Sequence, residues 1–193
     1  MKKLTVSLAL LAMAGVASAN ILVPNGDFEA GGADWEVAGP ATPSFPATGG
    51  NGGGYAALDS GTGWGVLVSN GGAPLPLSYF GLGLAPGDTI TVEMDMIELA
   101  DPTGTGGIKM ESWTASGVIS DSGDMNKGIT SEWATYSWDY TIAAGATHLK
   151  FVPLSVSGDH VGFDNVGVVP EPATLGLLGI AGLSIFVIRR MRG

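Results

Sequence analysis

The sequence predicts an all-β sandwich or barrel, running from Asn20 to Val169 between two apolar ends. Three observations carry this. Glycine supplies 27 of these 150 residues, mostly in clusters such as Gly31-Gly32, Gly49 to Gly54, Gly71-Gly72 and Gly104 to Gly107. Between the clusters sit short runs rich in Val, Ile, Thr and aromatics, the pattern of strands joined by loops. No stretch of this region carries a long 3.6-residue apolar period, so no long amphipathic helix is expected.

The chain opens as a secretory signal peptide, residues 1–19. Lys2 and Lys3 form a basic start, Leu4 to Val16 an apolar run, and Ala17-Ser18-Ala19 a small-residue cleavage site that leaves Asn20 as the first mature residue. The next 150 residues have the size of one domain and can bury a core without covalent staples. Five runs alternate with the two-residue period of a half-buried strand. In Thr89 to Met96, Ile90, Val92, Met94 and Met96 share one face, opposite Thr91, Glu93 and Asp95. In Ile108 to Thr114, Ile108 and Met110 face one way and Lys109, Glu111 and Trp113 the other. Tyr136, Trp138, Tyr140 and Ile142 line a core face with Thr135, Ser137, Asp139 and Thr141 behind them. His148 to Val156 and Val161 to Val168 complete the set. Ala85-Pro86-Gly87-Asp88 and Ala143-Ala144-Gly145 have turn chemistry.

Composition excludes several classes of function. The domain holds 17 of the 18 acidic residues but only three of the eight basic ones, Lys109, Lys127 and Lys150, a formal charge of −14. Such a surface repels nucleic acid and anionic lipid. There is no cysteine, hence no disulfide framework and no thiol nucleophile. His148 and His160 fit no metal-ligand spacing of the HExxH type, and no Gly-x-Ser-x-Gly elbow exists. Asp121 and Glu132 have the end-to-end spacing of a calcium-binding EF-hand loop, but Gly123, Met125 and Asn126 stand where carboxylates and a glycine are required. Gly104 to Gly107 is followed by no Lys-Ser/Thr, which excludes a phosphate loop. Nothing selects a catalytic pair among the carboxylates, and we expect no enzyme.

The last residues, 170–193, have three parts: Pro170-Glu171-Pro172, an uncharged apolar stretch to Ile188, then Arg189, Arg190 and Arg192. Pro172 to Ile188 is seventeen residues, the short end of a membrane-spanning helix. The arginines after it keep the tail cytoplasmic, which puts the domain across the membrane. This order of elements resembles the PEP-CTERM sorting signal. The resemblance implies recognition by exosortase, a membrane protease-transpeptidase, in a Gram-negative bacterium that makes extracellular polysaccharide. It also implies membrane anchoring before processing and a cell-surface or extracellular location afterwards.

The domain supports a second resemblance. It opens with Leu22-Val23-Pro24-Asn25-Gly26-Asp27-Phe28-Glu29 and Trp35, continues with Gly54-Tyr55-Ala56-Ala57-Leu58 and Trp133-x-x-Tyr136-Ser137, and closes with Gly162-Phe163-Asp164-Asn165-Val166. This order is similar to the jelly-roll carbohydrate-binding modules of the galactose-binding-like group found in xylanases and glucanases. The resemblance implies a jelly-roll β-sandwich and one structural calcium held between the first and last strands, at Glu29 and Asp164, with backbone oxygens from the loop before Tyr55. Sugar recognition needs aromatic faces beside fixed polar groups. Trp113, alone among polar residues on its strand face, is the leading candidate, with Glu93 and Asp95 on the preceding strand beside it. Trp64, inside a Gly-rich loop, is a second exposed aromatic. The expected function is an exosortase-sorted surface or matrix protein that binds extracellular polysaccharide. The alternative is a structural component of a biofilm or floc matrix, valued for its acidic hydrated surface and binding no particular glycan.

Overall fold

A computed structural model describes residues 20–61, 63–156 and 158–169. The signal peptide at 1–19 and the tail at 170–193, with Pro170, Glu171, Pro172 and the three arginines, lie outside the described residues. Among the described residues no helix is long and apolar enough to cross a membrane.

Asn20–Val169 forms one compact unit of two stacked antiparallel sheets. The first sheet runs, from edge to edge, through β11 (Ala134–Thr141), β7 (Thr89–Glu98), β13 (His160–Val169), β4 (Ala56–Asp59) and β3 (Thr42–Ser44). β1 (Ile21–Leu22) joins it on β13, beyond the point where β4 stops, with Ile21 opposite Val168. The second sheet runs through β10 (Met125–Thr130), β8 (Thr103–Thr114), β12 (His148–Ser155), β5 (Gly65–Ser69) and β2 (Trp35–Ala38). β6 (Leu75–Pro76) pairs with β12 and β9 (Gly117–Asp121) with β8.

Alternation decides which side chains fill the gap. Val92, Met94 and Met96 from β7, and Phe163 and Val168 from β13, face Ile108 and Met110 from β8 and Phe151 from β12, all fully buried. Phe80, in a short 3-10 turn after β6, packs on Phe151 with ring centroids 5.7 Å apart. The expected core face of β11 is confirmed at Trp138 and Tyr140, while Thr135, Ser137, Asp139 and Thr141 stay exposed. Tyr140 also spans the layers: its hydroxyl lies 2.7 Å from Ser112 Oγ of β8.

The opening motif is knit by Asn25. Its side chain donates to the carbonyls of Gly31 and Ala33 at 2.8 and 2.6 Å and accepts from Ala30 N–H at 3.0 Å. Its own carbonyl accepts the Trp35 indole N–H at 2.8 Å. Phe28 is buried against Trp35, which explains why the two aromatics occur together in the sequence.

One expectation fails. Gly104 to Gly107 is not a loop but the first half of β8, and glycine is there for closeness. A Cβ on Gly106 would press on Met96 and Val161 at 3.0 Å, and one on Gly107 would meet the Met125 carbonyl of β10 at 2.6 Å.

Candidate functional site

A groove of about 580 Å³ opens on the outer face of the second sheet. Its apolar floor is Val66 of β5 and Leu154 of β12, which stand opposite each other in the ladder. Trp64, just before β5, forms one wall and is 54% exposed. Lys109 of β8, with Asp124 and Asn126 at the start of β10, supplies charge and hydrogen-bonding groups opposite. Trp64 is held from behind. Its carbonyl accepts from Ala41 N–H at 3.3 Å, and a Cβ on Gly39 would come within 2.8 Å of its ring. Gly39 has φ +94°, a conformation that favours glycine, so the chain passes tight behind the indole and leaves its other face open.

Trp113 lies on the same outer face, at the other end of β12, opposite His148. The distance along β12 from His148 to Ser155 is about 23 Å at the usual strand rise. Trp113 is half-buried, its indole N–H donates to Glu111 Oε2 at 2.9 Å, and Lys150 Nζ stands 4.2 Å from its ring centroid. Lys109 Nζ closes the cluster at 2.7 Å from Glu111 Oε1. One ring face of Trp113 is therefore covered by a lysine. Glu93 and Asp95 are not beside it, which corrects the expected trio. β7 and β8 are consecutive in sequence but belong to opposite sheets, because the chain crosses the sandwich between them. Glu93 accepts from the Asn20 side chain at 3.1 Å, and Asp95 is buried.

Asp95 instead belongs to a carboxylate cluster where β13 bulges between Asp164 and Gly167. It accepts from Thr135 Oγ1 at 2.5 Å and from the side chains of Asn51 and Asn165 at 2.9 and 2.8 Å. Asp164 stands directly opposite it in the ladder and is 1% exposed. Burial pushes the Asp164 carboxyl up to about 6; the N–H groups of Asn165 and Asn51 pull it down, and the charges of Asp95 and Asp27 push it up. Glu29 Oε1 accepts from Gly54 N–H at 2.8 Å, across the loop of residues 49–54. That loop is clamped by Trp133, whose indole N–H donates to the Gly49 carbonyl at 2.9 Å and whose ring meets Tyr55 edge-on. Asp164 Oδ2, Gly53 O and Gly54 O converge beside Gly50. So the two residues expected to hold calcium do face one glycine loop, together with its carbonyl oxygens. Among the described residues, no three His, Cys, Asp or Glu side chains form a metal-holding group.

Trp64 was visible in the sequence only as an aromatic among glycines. Its partners Val66, Leu154, Asp124 and Asn126 were not legible, since they come from three strands that only the sheet order brings together.

Residues 168–192 match the PEP-CTERM protein-sorting motif. The PEP-CTERM match covers the tail, and no curated protein matches the chain. Solved structures match the domain. The CBM22-2 xylan-binding domain of Xyn10C from Paenibacillus barcinonensis superposes with a TM-score of 0.54, over 75% of this chain and 97% of that one, at 13% identity. The C-terminal family 22 carbohydrate-binding module of Clostridium thermocellum Xyn10B gives 0.54, over 81% and 97%, at 15% identity. The enzymatically active domain of bacteriophage CBA120 tailspike protein 4 gives 0.59 at 14% identity over 76% of this chain, which spans only 21% of that one. At these identities the likeness is one of fold: an all-β sandwich of the kind seen in jelly-roll carbohydrate-binding modules.

Proposed function

We propose that the PEP-CTERM tail delivers this chain to exosortase after export by the signal peptide, and that its sandwich binds extracellular polysaccharide along the outer face of the second sheet. The observation that carries the binding reading is the groove at Trp64. An exposed indole, a Val66–Leu154 floor and a polar wall of Lys109, Asp124 and Asn126 offer a stacking surface for the C–H face of a sugar and hydrogen bonds for its hydroxyls. Trp113 under Lys150 marks the other end of the same face. Neutral or weakly charged glycans suit a surface where both lysines sit among Glu111 and Asp124.

A structural calcium belongs to the same reading. Glu29 and Asp164 would hold it with carbonyl oxygens of the 49–54 loop; the fit rests on Asp164, a buried carboxyl among other carboxylates that, among the described residues, has no lysine or arginine paired with it. Its role would be to fasten the loop to β13, away from the groove.

The test is affinity electrophoresis of the full chain through gels containing xylan, and separately the producing cell's own exopolysaccharide. Retardation is expected, with Trp64→Ala weakening it about tenfold, the equivalent of ~1.4 kcal/mol of stacking. Trp113→Ala should weaken it less, because Lys150 already occupies one face of that ring. No retardation in either gel would leave the acidic matrix spacer as the function.

A further inference from the structure

A second pair of carboxylates sits at the start of β13. Glu98 is the last residue of β7, and Asp159 immediately precedes β13. Each carboxylate has one oxygen fixed by backbone. Glu98 Oε1 accepts from the N–H groups of Ala100 and His160, both at 3.1 Å. Asp159 Oδ2 accepts from Thr105 N–H at 2.9 Å. The remaining oxygens converge over Gly104 of β8. Glu98 Oε2 occupies the space a Cβ on Gly104 would need, and Asp159 Oδ1 lies 3.2 Å from that point. Glu98 is only 2% exposed, and among the described residues its Oε2 has no hydrogen-bond partner.

Two carboxylate oxygens aimed at one place, one of them sealed from water, require a positive charge or a proton between them. Among the described residues no side-chain cation is at hand. The domain has no arginine, and its lysines are engaged elsewhere: Lys109 with Glu111, Lys150 on Trp113 and Lys127 over Trp138. The surrounding backbone is pinned as a ready frame: the Asp159 carbonyl accepts from the hydroxyls of Ser60 and Ser155 at 2.7 and 3.1 Å. We infer that Glu98 and Asp159 form a site for a divalent cation of the calcium type, distinct from the one at Glu29 and Asp164. Hard oxygen donors in loose geometry, completed by water, are what calcium accepts. The ion would tie the ends of β7 and β12 to the starts of β8 and β13, and so join the two sheets.

The experiment uses the full chain, stripped with chelator and titrated with calcium, reading thermal midpoint and bound calcium by equilibrium dialysis. Asp164→Asn removes the other site. In that background calcium is expected still to raise the midpoint, and one equivalent still to bind. Adding Glu98→Gln should lower the remaining affinity at least about tenfold and abolish the rise. Asp159→Asn, which leaves Glu98 in place, should do the same if the first variant folds poorly. No calcium response in the Asp164→Asn chain overturns the inference. So does an unchanged response after Glu98→Gln or Asp159→Asn. A Glu98→Gln chain that is more stable without calcium and binds as much as its parent also overturns it, in favour of a shared proton.

Discussion

Among the described residues, Asp164 is the least exposed of the carboxylates. With its carboxyl raised to about 6 by burial, the folded state holds a proton that the unfolded chain, at an ordinary aspartate value, gives up. The sign follows. Without metal, its contribution to stability is complete below about pH 4 and is lost as pH rises through 6, at most ~3 kcal/mol. We expect the chelated chain to melt at a lower temperature at pH 7 than at pH 5, the difference shrinking in Asp164→Asn. Calcium should reverse the trend, because it favours the ionised form. Calorimetry at the two pH values, with and without calcium, checks both. The place of Asp164 near the end of the last run was readable from its motif, but its burial was not. That depends on Asp95 of β7 and Asn51 of the glycine loop coming from two other segments. Glu93 and Asp95 show the same limit from the other side. Their polar face on β7 was read correctly, yet periodicity carries no information on which sheet a strand joins.

Among the elements, β8 is the one on which the second sheet depends. It pairs with β12 on one side and with β10 and β9 on the other. Its glycines set how near β10 lies, so Gly107→Val should push Met125 away and cost ~1–3 kcal/mol, seen as a lower thermal midpoint. Gly128→Ala in β10, where a Cβ meets nothing within 4 Å, should leave the midpoint nearly unchanged. Equal effects would mean that strand propensity and not closeness sets the cost. The long strands β7, β11, β12 and β13, and the second half of β8, were legible because seven or more residues of strand pattern outweigh local noise. β1, β3 and β6 have two or three residues each, too few to show a period. The start of β8 was hidden because glycine in sequence reads as a turn, whether the backbone bends there or is merely crowded.

For the whole molecule, the balance of charge and the tail act together. A domain of −14 stays dispersed at high density by self-repulsion. If the PEP-CTERM segment is processed, intact mass of the protein recovered from the cell surface should start at Asn20 and end near Pro170 to Pro172. Full-length chain to Gly193, found in the inner membrane, would make the tail a permanent anchor instead. The sorting motif was the most legible part of the chain because it is contiguous, whereas the groove is assembled from strands far apart in sequence. The pairing of β1 with β13 has a mechanical result. Ile21 lies opposite Val168, so the two ends of the domain leave from one corner. Force applied between them would peel these strands apart one hydrogen bond at a time, a weak direction for any antiparallel ladder. If the chain is held by its C-terminal end alone, the domain is spared that force, and drag from flowing water is borne by the sandwich as a single body.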